Sequence, residues 1–201
     1  ATIVNMDGKL VSPEEAKISV FDRSFLFGDS VYETLRTYGG KIFAISQHVE
    51  RLFESARRID LNISVSEEEI AARCQQTVDA GKNDESYCRL MVTRGVGSFG
   101  LAAGLETPGS VLVMVRPYEP LDPVFYNEGL AVVIPKVRRN PPEALDPAIK
   151  SGNYLNNILG ALEARRQGAD DAVFLSLDGF AATGKYRTMN AVHLLNCDSI
   201  L

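Results

Sequence analysis

Three prolines, at positions 117, 120 and 123, interrupt the chain between two stretches that each mix strand-like and helix-like patterns. Proline fixes its own φ angle and favours extended, semi-rigid connections, so such a cluster is typical of a linker. The sequence therefore predicts an α+β fold in two parts. We place an N-terminal α+β domain at residues 1–118, an interdomain linker at 119–129 and a C-terminal domain at 130–201.

Apolar periodicity predicts the elements of the first half. Asp7-Gly8 is a hairpin turn signal, and Ser66 with Glu69 forms a capping box that opens a helix. An earlier helix is indicated by apolar residues at i, i+3, i+4 and i+7, namely Val49, Leu52, Phe53 and Ala56. The predicted strands span residues 2–6, 31–38, 41–45, 88–93 and 111–115. The last of these is apolar throughout, which predicts burial on both of its faces.

In the second half, the patterns predict two strands and one helix. The strands span residues 131–134 and 172–175, and Asp178-Gly179 is a turn signal after the second strand. Gly168 is placed as the C-terminal cap of the helix. The helix is indicated by an apolar face at helical spacing, formed by Leu155, Ile158, Leu159 and Leu162.

Composition and charge exclude several classes of function. The net charge is −5 and there is no long basic run, which argues against nucleic acid and anionic membranes as partners. No apolar run is long enough to span a bilayer, and the first residues lack the core of a signal peptide. Three scattered cysteines, Cys74, Cys88 and Cys197, favour a reducing compartment over a disulfide scaffold. We therefore predict a cytoplasmic protein.

Lys150 is the residue whose setting is most informative about chemistry. It lies between a proline-rich loop, residues 138–147, and the predicted apolar helix, within Ile149-Lys150-Ser151-Gly152-Asn153-Tyr154. A lysine at such a junction can be partly buried, and burial favours the neutral amine. A neutral amine attacks carbonyl carbons and forms Schiff bases. The alternative, on chemistry alone, is a solvated loop lysine.

Two arginines are further candidates for binding anions. Arg51 lies on the first predicted helix, where its fork of donors can hold a phosphate, and Arg94 lies at a strand end before a glycine-rich loop, where it can bind a carboxylate. On spacing alone, a surface charge on the helix is the better interpretation of Arg51, and Arg94 is also compatible with a charge that flanks a turn. His48 and His193 are the only histidines, and no histidine or cysteine spacing indicates a metal site. Neither a nucleophile elbow nor a Walker-type loop is present.

Four segments, in order, resemble the class IV, or fold-type-IV, pyridoxal-phosphate-dependent aminotransferases. The first runs from Phe21 to Thr34, and the second is His48-Val49-Glu50-Arg51-Leu52 followed by Ser55-Ala56. The third combines Tyr87-Cys88-Arg89 with Val92-Thr93-Arg94-Gly95, and the fourth is Lys150-Ser151-Gly152-Asn153-Tyr154-Leu155. The family includes branched-chain aminotransferases, D-amino-acid aminotransferases and 4-amino-4-deoxychorismate lyases.

The resemblance implies a cofactor, pyridoxal 5′-phosphate, and a role for each matching residue. Lys150 forms the Schiff base with the cofactor and moves the proton between substrate and cofactor. Arg51 holds the phosphate, and Tyr154 faces the cofactor ring. The implied substrate pocket is lined by Tyr32, Tyr87 and Arg94. The resemblance further implies an amino acid and a 2-oxo acid as substrates and a homodimer as the functional unit.

The chain departs from the family pattern after residue 180. The family has a glutamate that keeps the pyridine nitrogen protonated, and here that position falls on Thr183 or, with a shifted alignment, on Lys185. Neither residue is an anionic partner. The family also continues for tens of residues beyond the position of Leu201, so the resemblance implies that the C-terminal domain is incomplete.

Several functions therefore stay open at the level of sequence. The Tyr-x-Arg segment at Tyr87 and the glycine-rich loop after Arg94 favour an amino-acid aminotransferase of the branched-chain group. Val-Thr-Arg-Gly favours a D-amino-acid aminotransferase, and a 4-amino-4-deoxychorismate lyase shares the same lysine. A catalytically impaired relative that serves as a binding or assembly subunit is the non-enzymatic alternative, supported by the changes in residues 181–190.

Overall fold

The computed structural model describes residues 1–101 and 109–182, which form two compact units. The first unit comprises Ala1–Glu119 together with Ala148–Asn153, and the second comprises Pro120–Pro147 and the residues from Tyr154 onward. The predicted domain and linker bounds stay a prediction. The segment Ala148–Asn153 is where the structure differs from them, because it packs with the first unit although the chain order places it in the second.

The first unit is built on one antiparallel sheet with the strand order β2-β1-β6-β5-β3-β4. The strands are β1 (Ile3–Met6), β2 (Lys9–Val11), β3 (Ser30–Tyr38), β4 (Lys41–Ile42), β5 (Ser86–Thr93) and β6 (Val111–Pro117). All five predicted strands are present, and β4, predicted for residues 41–45, ends at Ile42 because a helix begins at Ile45. The predicted burial of the sixth strand is confirmed for residues 111–113 and 115, whereas Met114 is half-buried.

Three helices accompany this sheet: α1 (Arg23–Phe27), α2 (Ile45–Arg57) and α3 (Glu67–Gly81). The apolar sides of α2 and α3 pack on one face of the sheet and bury a core that includes Val31, Leu35, Leu52, Ile70, Leu90 and Val113. Removal of such side chains from water is the main term that stabilises the unit. Because side chains alternate along a strand, residues 32, 34 and 36 of β3 lie on the opposite face.

Local signals in the sequence account for the ends of several elements. Asp7 and Gly8 have φ values of 52° and 94°, as a two-residue hairpin with two positive φ angles requires. The Ser66 side chain accepts a hydrogen bond from the amide of Glu69 at 3.2 Å and caps α3 as predicted. None of the helices in the described part of the chain has the length and apolarity needed to cross a bilayer.

The second unit contains short elements and one longer helix. The elements are α4 (Val124–Asn127), β7 (Val132–Val133), α5 (Pro142–Leu145), α6 (Leu155–Arg166) and β8 (Asp171–Ala172). The two strands pair in parallel, as strands joined by a helical crossover do. Gly168 adopts a φ of 73° just after α6, and Gly179 has a φ of 87°, so both glycines lie at the turns predicted for them.

The buried face of α6 differs from the one expected from its apolar spacing. Leucine and isoleucine at positions 155, 158, 159 and 162 are 41–61% exposed within this chain, whereas Gly160 and Ala164 are buried. The reason is Phe174, which is 2% exposed and lies so close that a Cβ on Gly160 would be 2.2 Å from its ring. The helix itself was correctly predicted, but its small residues make the contact.

Candidate functional site

The backbone around Lys150 is fixed to the edge of β3. The amide of Tyr32 donates to the carbonyl of Lys150 at 2.9 Å, and the amide of Gly152 donates to the carbonyl of Ser30 at 2.7 Å. Strand β4 pairs only with Thr37 and Tyr38 of β3, which leaves the first half of that edge to this segment. The amide of Lys150 also donates to the hydroxyl of Ser55 on α2, at 3.2 Å.

Gly152 makes this close approach possible. A Cβ atom at this position would be 2.2 Å from the Ser30 hydroxyl oxygen and 3.0 Å from the carbonyl oxygen of Gly28. The Ser30 hydroxyl is buried and has no hydrogen-bond partner among the described residues. The glycine that follows Lys150-Ser151 is thus explained by packing against β3 rather than by flexibility.

We expect Gly152→Ala to destabilise the first unit by about 1–3 kcal/mol, because the added methyl group overpacks a backbone contact. Ser30→Ala removes the nearest atom, so the double variant Ser30→Ala/Gly152→Ala should recover a large part of that loss. Urea unfolding of the three variants and the parent chain measures both effects. Equal stability of Gly152→Ala and its parent would show that the segment is not held at this edge.

The ring of Tyr32 carries two cationic side chains. The Lys150 amine lies 4.2 Å and the Arg89 guanidinium 4.0 Å from the ring centroid, and Tyr32 itself is buried. Both distances are those of cation–π contacts. Arg89 is half-buried, and its side chain makes no hydrogen bond or ion pair with any residue in the described part of the chain. A half-buried guanidinium with this environment is suited to an anionic ligand.

Arg89 was missed by the sequence analysis as a site residue, although it belongs to the Tyr87-Cys88-Arg89 segment. The register provides the signal that could have found it, since Arg89 of β5 lies opposite Thr34 of β3, two residues from Tyr32. Side chains at diagonal positions on one face are within reach of each other. Tyr87 points to the same face and packs against Arg116, whose guanidinium is 4.9 Å from its ring.

Arg51 forms part of a compact charged group on the other face of β3. Its Nε and Nη2 atoms donate to the two carboxylate oxygens of Glu33, and the Nε contact is 2.5 Å. The Nδ1 atom of His48, one turn earlier on α2, lies 2.8 Å from Oε2 of the same carboxylate. The side chain of Glu33 is fully buried, whereas that of Arg51 is 38% exposed. The Arg51 side chain therefore pairs with a buried anion and is at the same time partly exposed at the surface.

Burial and pairing act in opposite directions on Glu33. Burial raises the pKa of its carboxyl group, but hydrogen bonds from Arg51 and His48, together with their charges, outweigh it and hold the pKa below its ordinary value. The carboxylate form is therefore the one that the fold stabilises. This effect depends on Arg51 staying in place, because a buried anion without a partner is costly.

Arg94 is engaged in holding the fold of the first unit. Its Nε donates to Asp29 at 2.7 Å, and its Nη1 and Nη2 atoms donate to the carbonyls of Asp60 and Ile59 at 2.8 and 2.7 Å. The residue is 5% exposed. These contacts anchor the segment that follows α2, so nothing in this geometry supports the predicted binding of substrate, which stays a prediction.

The other predicted site residues lie elsewhere. Tyr154 belongs to the second unit, where it immediately precedes α6, and its contact with the cofactor ring stays a prediction. Thr183 and Lys185, the two candidates for the position beside the pyridine nitrogen, lie outside the described residues. Of the predicted residues, the structure thus brings Lys150 and Tyr32 into contact in the first unit.

The first unit contains two groups of the kind that a small phosphorylated aldehyde needs. Ser55, which binds the backbone of Lys150, lies one turn after Arg51 on α2, and a turn rises by about 5.4 Å. An amine for the aldehyde and a partly exposed guanidinium for the phosphate are therefore held by the same helix and strand. The donor set suits pyridoxal 5′-phosphate, the cofactor that the resemblance implies.

Comparisons with known proteins agree with this geometry. A family described as amino-transferase class IV matches residues 30–192. A putative branched-chain-amino-acid aminotransferase from Methanocaldococcus jannaschii is 35% identical over 184 residues, which cover 90% of this chain and 62% of that protein. The D-alanine aminotransferase of Staphylococcus aureus is 32% identical over 173 residues, which cover 84% of this chain and 58% of that protein.

A solved structure extends the comparison to the fold and the cofactor. The branched-chain amino acid aminotransferase of T.th., complexed with N-(5′-phosphopyridoxyl)-L-glutamate, matches with a TM-score of 0.83 at 28% identity, covering 90% of this chain and 61% of that one. The predicted two-domain α+β architecture is confirmed by this match. The chain spans 58–62% of the length of these three proteins.

Proposed function

The chain belongs to the amino-transferase class IV family, and from this premise we propose that it is a pyridoxal-phosphate-dependent aminotransferase that transfers an amino group to a 2-oxo acid. The proposed activity is most like that of the branched-chain aminotransferases. The observation that carries the proposal is the setting of Lys150, whose amine lies 4.2 Å from the Tyr32 ring centroid on a backbone pinned to β3. Covalent attachment of a carbonyl cofactor requires an amine that is held at a fixed position.

Lys150 has two tasks in the proposed reaction. Its Nζ atom would hold the cofactor covalently, and the same atom, once released, would take and return the proton at the substrate Cα. When bound, pyridoxal phosphate supplies the electron sink for the negative charge left on that carbon. The contact with Tyr32 and the hydrogen bonds of the Lys150 backbone orient the amine for both tasks.

Arg51 is proposed to hold the phosphate group. Its side chain is 38% exposed, and its Nε and Nη2 atoms donate to the Glu33 carboxylate. A guanidinium presents five donors in a fixed plane, so its Nη1 side is directed away from the carboxylate. Charge-assisted bonds to a phosphate from such a group are worth about 1.5–3 kcal/mol each.

For the substrate, we propose Tyr32 and Tyr87 as wall residues and Arg89 as the ligand of a carboxylate. Arg89 replaces Arg94 in this part of the proposal, because the donors of Arg94 bind Asp29 and two backbone carbonyls. Arg89 instead lies on the Tyr32 ring that also contacts Lys150. An amino acid bound there would have its carboxylate beside the Arg89 guanidinium and its reacting carbon near the Lys150 amine.

An amino-donor screen with 2-oxoglutarate as acceptor tests this proposal and separates its alternatives. Turnover of L-leucine, L-isoleucine or L-valine supports the branched-chain assignment, and turnover of D-alanine supports a D-amino-acid aminotransferase. Turnover of aminodeoxychorismate without an acceptor indicates a lyase. If borohydride reduction fixes no cofactor to Lys150 and no donor is turned over, the chain is a non-enzymatic relative, as the changes in residues 181–190 suggested.

We also propose that the chain assembles as a homodimer, through an apolar surface around α1. The surface consists of Phe21, Phe25, Val96, Phe99 and Leu101, which are 48–77% exposed. Phe21 and Phe99 already pack edge to face at 5.7 Å, and Arg23 holds the loop by donating to the carbonyls of Gly100 and Leu101 at 2.9 Å. A preformed apolar patch of this kind is typical of a protein interface.

Phe25→Asp should weaken this dimer by on the order of 30-fold or more, because it puts a charge into the buried centre of the interface. Phe43→Asp is the matched control, since Phe43 is equally exposed but follows β4 rather than lying near α1. Sedimentation equilibrium of the parent chain and both variants measures the dissociation constants. A monomeric parent chain, or equal effects of both substitutions, would contradict the assignment of this surface.

A cytoplasmic location belongs to the same proposal. Cys74 and Cys88 are both buried free thiols in the first unit, as a reducing compartment would leave them. A hydrogen bond between the two thiols, together with burial, raises the pKa of Cys88 well above its ordinary value. Such a thiol is held in its protonated, unreactive form.

A further inference from the structure

We infer that Glu33 is a positioning residue for phosphate binding, which acts by fixing the guanidinium of Arg51, with His48 as a second support for the carboxylate. The inference rests on the proposed phosphate role of Arg51. It goes beyond that role because it makes Glu33 responsible for part of the preference for the phosphorylated cofactor. Glu33 itself would contact neither the phosphorylated nor the unphosphorylated form.

The first step is the cost of placing a carboxylate at this position. Glu33 points to the core face of β3, between Val31 and Leu35, which are both buried in the apolar core. Its side chain has no exposed surface, and both oxygens are occupied by Arg51 and His48. A buried ion pair is often no more stable than apolar residues of similar volume, so stability alone does not account for this choice.

The pair with Glu33 also restricts the conformation of the Arg51 side chain. Arginine has many side-chain conformers, and holding one of them costs free energy when a ligand binds. Two parallel hydrogen bonds to one carboxylate fix both the position and the plane of the guanidinium before any ligand arrives. The Arg51 side chain keeps its 38% exposure in this arrangement.

His48 completes the arrangement from the same helix. Its Nδ1 atom lies 2.8 Å from Oε2 of Glu33 and 3.3 Å from Nη2 of Arg51. It therefore contacts the oxygen that receives the Nη2 donor and limits rotation of the carboxylate. Loss of His48 leaves the two-point pair with Arg51, so we expect a smaller effect from its removal than from that of Glu33.

The test compares the dissociation constants of pyridoxal and pyridoxal 5′-phosphate, measured by isothermal titration calorimetry on the full 201-residue chain. The ratio of the two constants is the phosphate preference. Glu33→Gln should lower this preference by about tenfold, equivalent to 1.4 kcal/mol, with the constant for pyridoxal unchanged within about twofold. His48→Gln should lower it by about threefold, and it carries the test if Glu33→Gln does not fold.

Arg51→Ala and Glu54→Gln are the reference variants. Glu54 lies on the same helix and pairs with Arg57 at 2.8 Å, but both side chains are exposed, so Glu54→Gln should leave the preference unchanged. If Arg51→Ala keeps the parent's preference, or the parent has none, the proposed phosphate role is wrong and the inference fails with it. If Arg51→Ala removes the preference while Glu33→Gln and His48→Gln keep it, only the positioning role is wrong. Equal weakening of both ligands by Glu33→Gln would also overturn it, because that is the result of a purely structural role.

Discussion

Replacing Lys150 with alanine should abolish covalent attachment of the cofactor and lower the transamination rate by at least roughly 10²–10⁴-fold, the order of magnitude that one proton-transfer group contributes. The substitution removes both the amine that attaches the cofactor and the base that moves the substrate proton. The backbone bonds of residue 150 to Tyr32 and Ser55 do not involve its side chain, so the fold should persist. Borohydride reduction with peptide mapping, followed by steady-state transamination, measures both losses.

Lys41→Ala is the matched control for this experiment. Lys41 is an exposed lysine on β4 of the same sheet, and it should neither take the pyridoxyl label nor change the rate. Unfolding midpoints of all three proteins show whether a rate loss reflects unfolding. A label on another lysine of the parent chain, or full activity of Lys150→Ala, would remove Lys150 from the proposed site.

Arg51→Ala should lower the free energy of unfolding at neutral pH by about 3 kcal/mol, since it leaves the carboxylate of Glu33 buried with His48 as its remaining partner. The double variant Glu33→Gln/Arg51→Ala should regain part of this loss, because it no longer buries a charge. Arg57→Ala provides the comparison on the same helix. Arg57 pairs with Glu54 in solvent, and its loss should cost no more than about 0.5 kcal/mol.

Because Glu33 is titratable, the loss of stability caused by Arg51→Ala should depend on pH. In the parent chain the pKa of Glu33 is held below the ordinary value of 4.5, so its stabilising contribution is present above that pH and is lost as the pH falls through the lowered value. In Arg51→Ala, burial dominates and raises the pKa of Glu33, so protonation on acidification relieves the buried charge. The difference in stability between the two proteins should therefore shrink between about pH 7 and pH 4.

Urea unfolding of the parent chain and of Arg51→Ala at pH 7 and pH 4 shows whether their difference in stability shrinks on acidification. The Arg57→Ala variant should differ from its parent by the same small amount at each pH, because its partner is solvated. A constant difference for Arg51→Ala across this range would mean that Glu33 is not the group destabilised by the substitution. In that case the buried pair would have to be interpreted as neutral, and the positioning role would lose its electrostatic basis.

Much of the fold could be predicted because its signals are local. The turn at Asp7-Gly8 and the cap at Ser66 depend on φ angles and on hydrogen bonds between residues a few positions apart. The strands and α2 follow from the period of their apolar residues. In the same way, Lys150 and Arg51 are predicted from short contiguous segments that resemble a known family.

The sequence could not show, in contrast, which arginine is engaged in holding the fold and which one lies beside the Tyr32 ring. Arg94 and Arg89 both lie on β5 or at its end, five residues apart, and the family resemblance favours Arg94 as the anion ligand. The structure uses Arg94 to hold the chain after α2 and places Arg89 on the Tyr32 ring. The difference depends on which segments lie opposite each side chain, and this is set by strand register and helix packing.

The sequence by itself determined the α+β class, the order of the longer helices and of most strands, and the lysine that we expect to carry the cofactor, because each depends on periodicity or on a contiguous segment. The short helices α1, α4 and α5 were not predicted. Tertiary structure alone decided three other features: the attachment of residues 148–153 to β3, the burial of Gly160 instead of the leucines of α6, and the Glu33–His48–Arg51 group. Each joins residues that are distant along the chain or on different faces. Their free energies come from burial and pairing, which exist only after the strands and helices have packed.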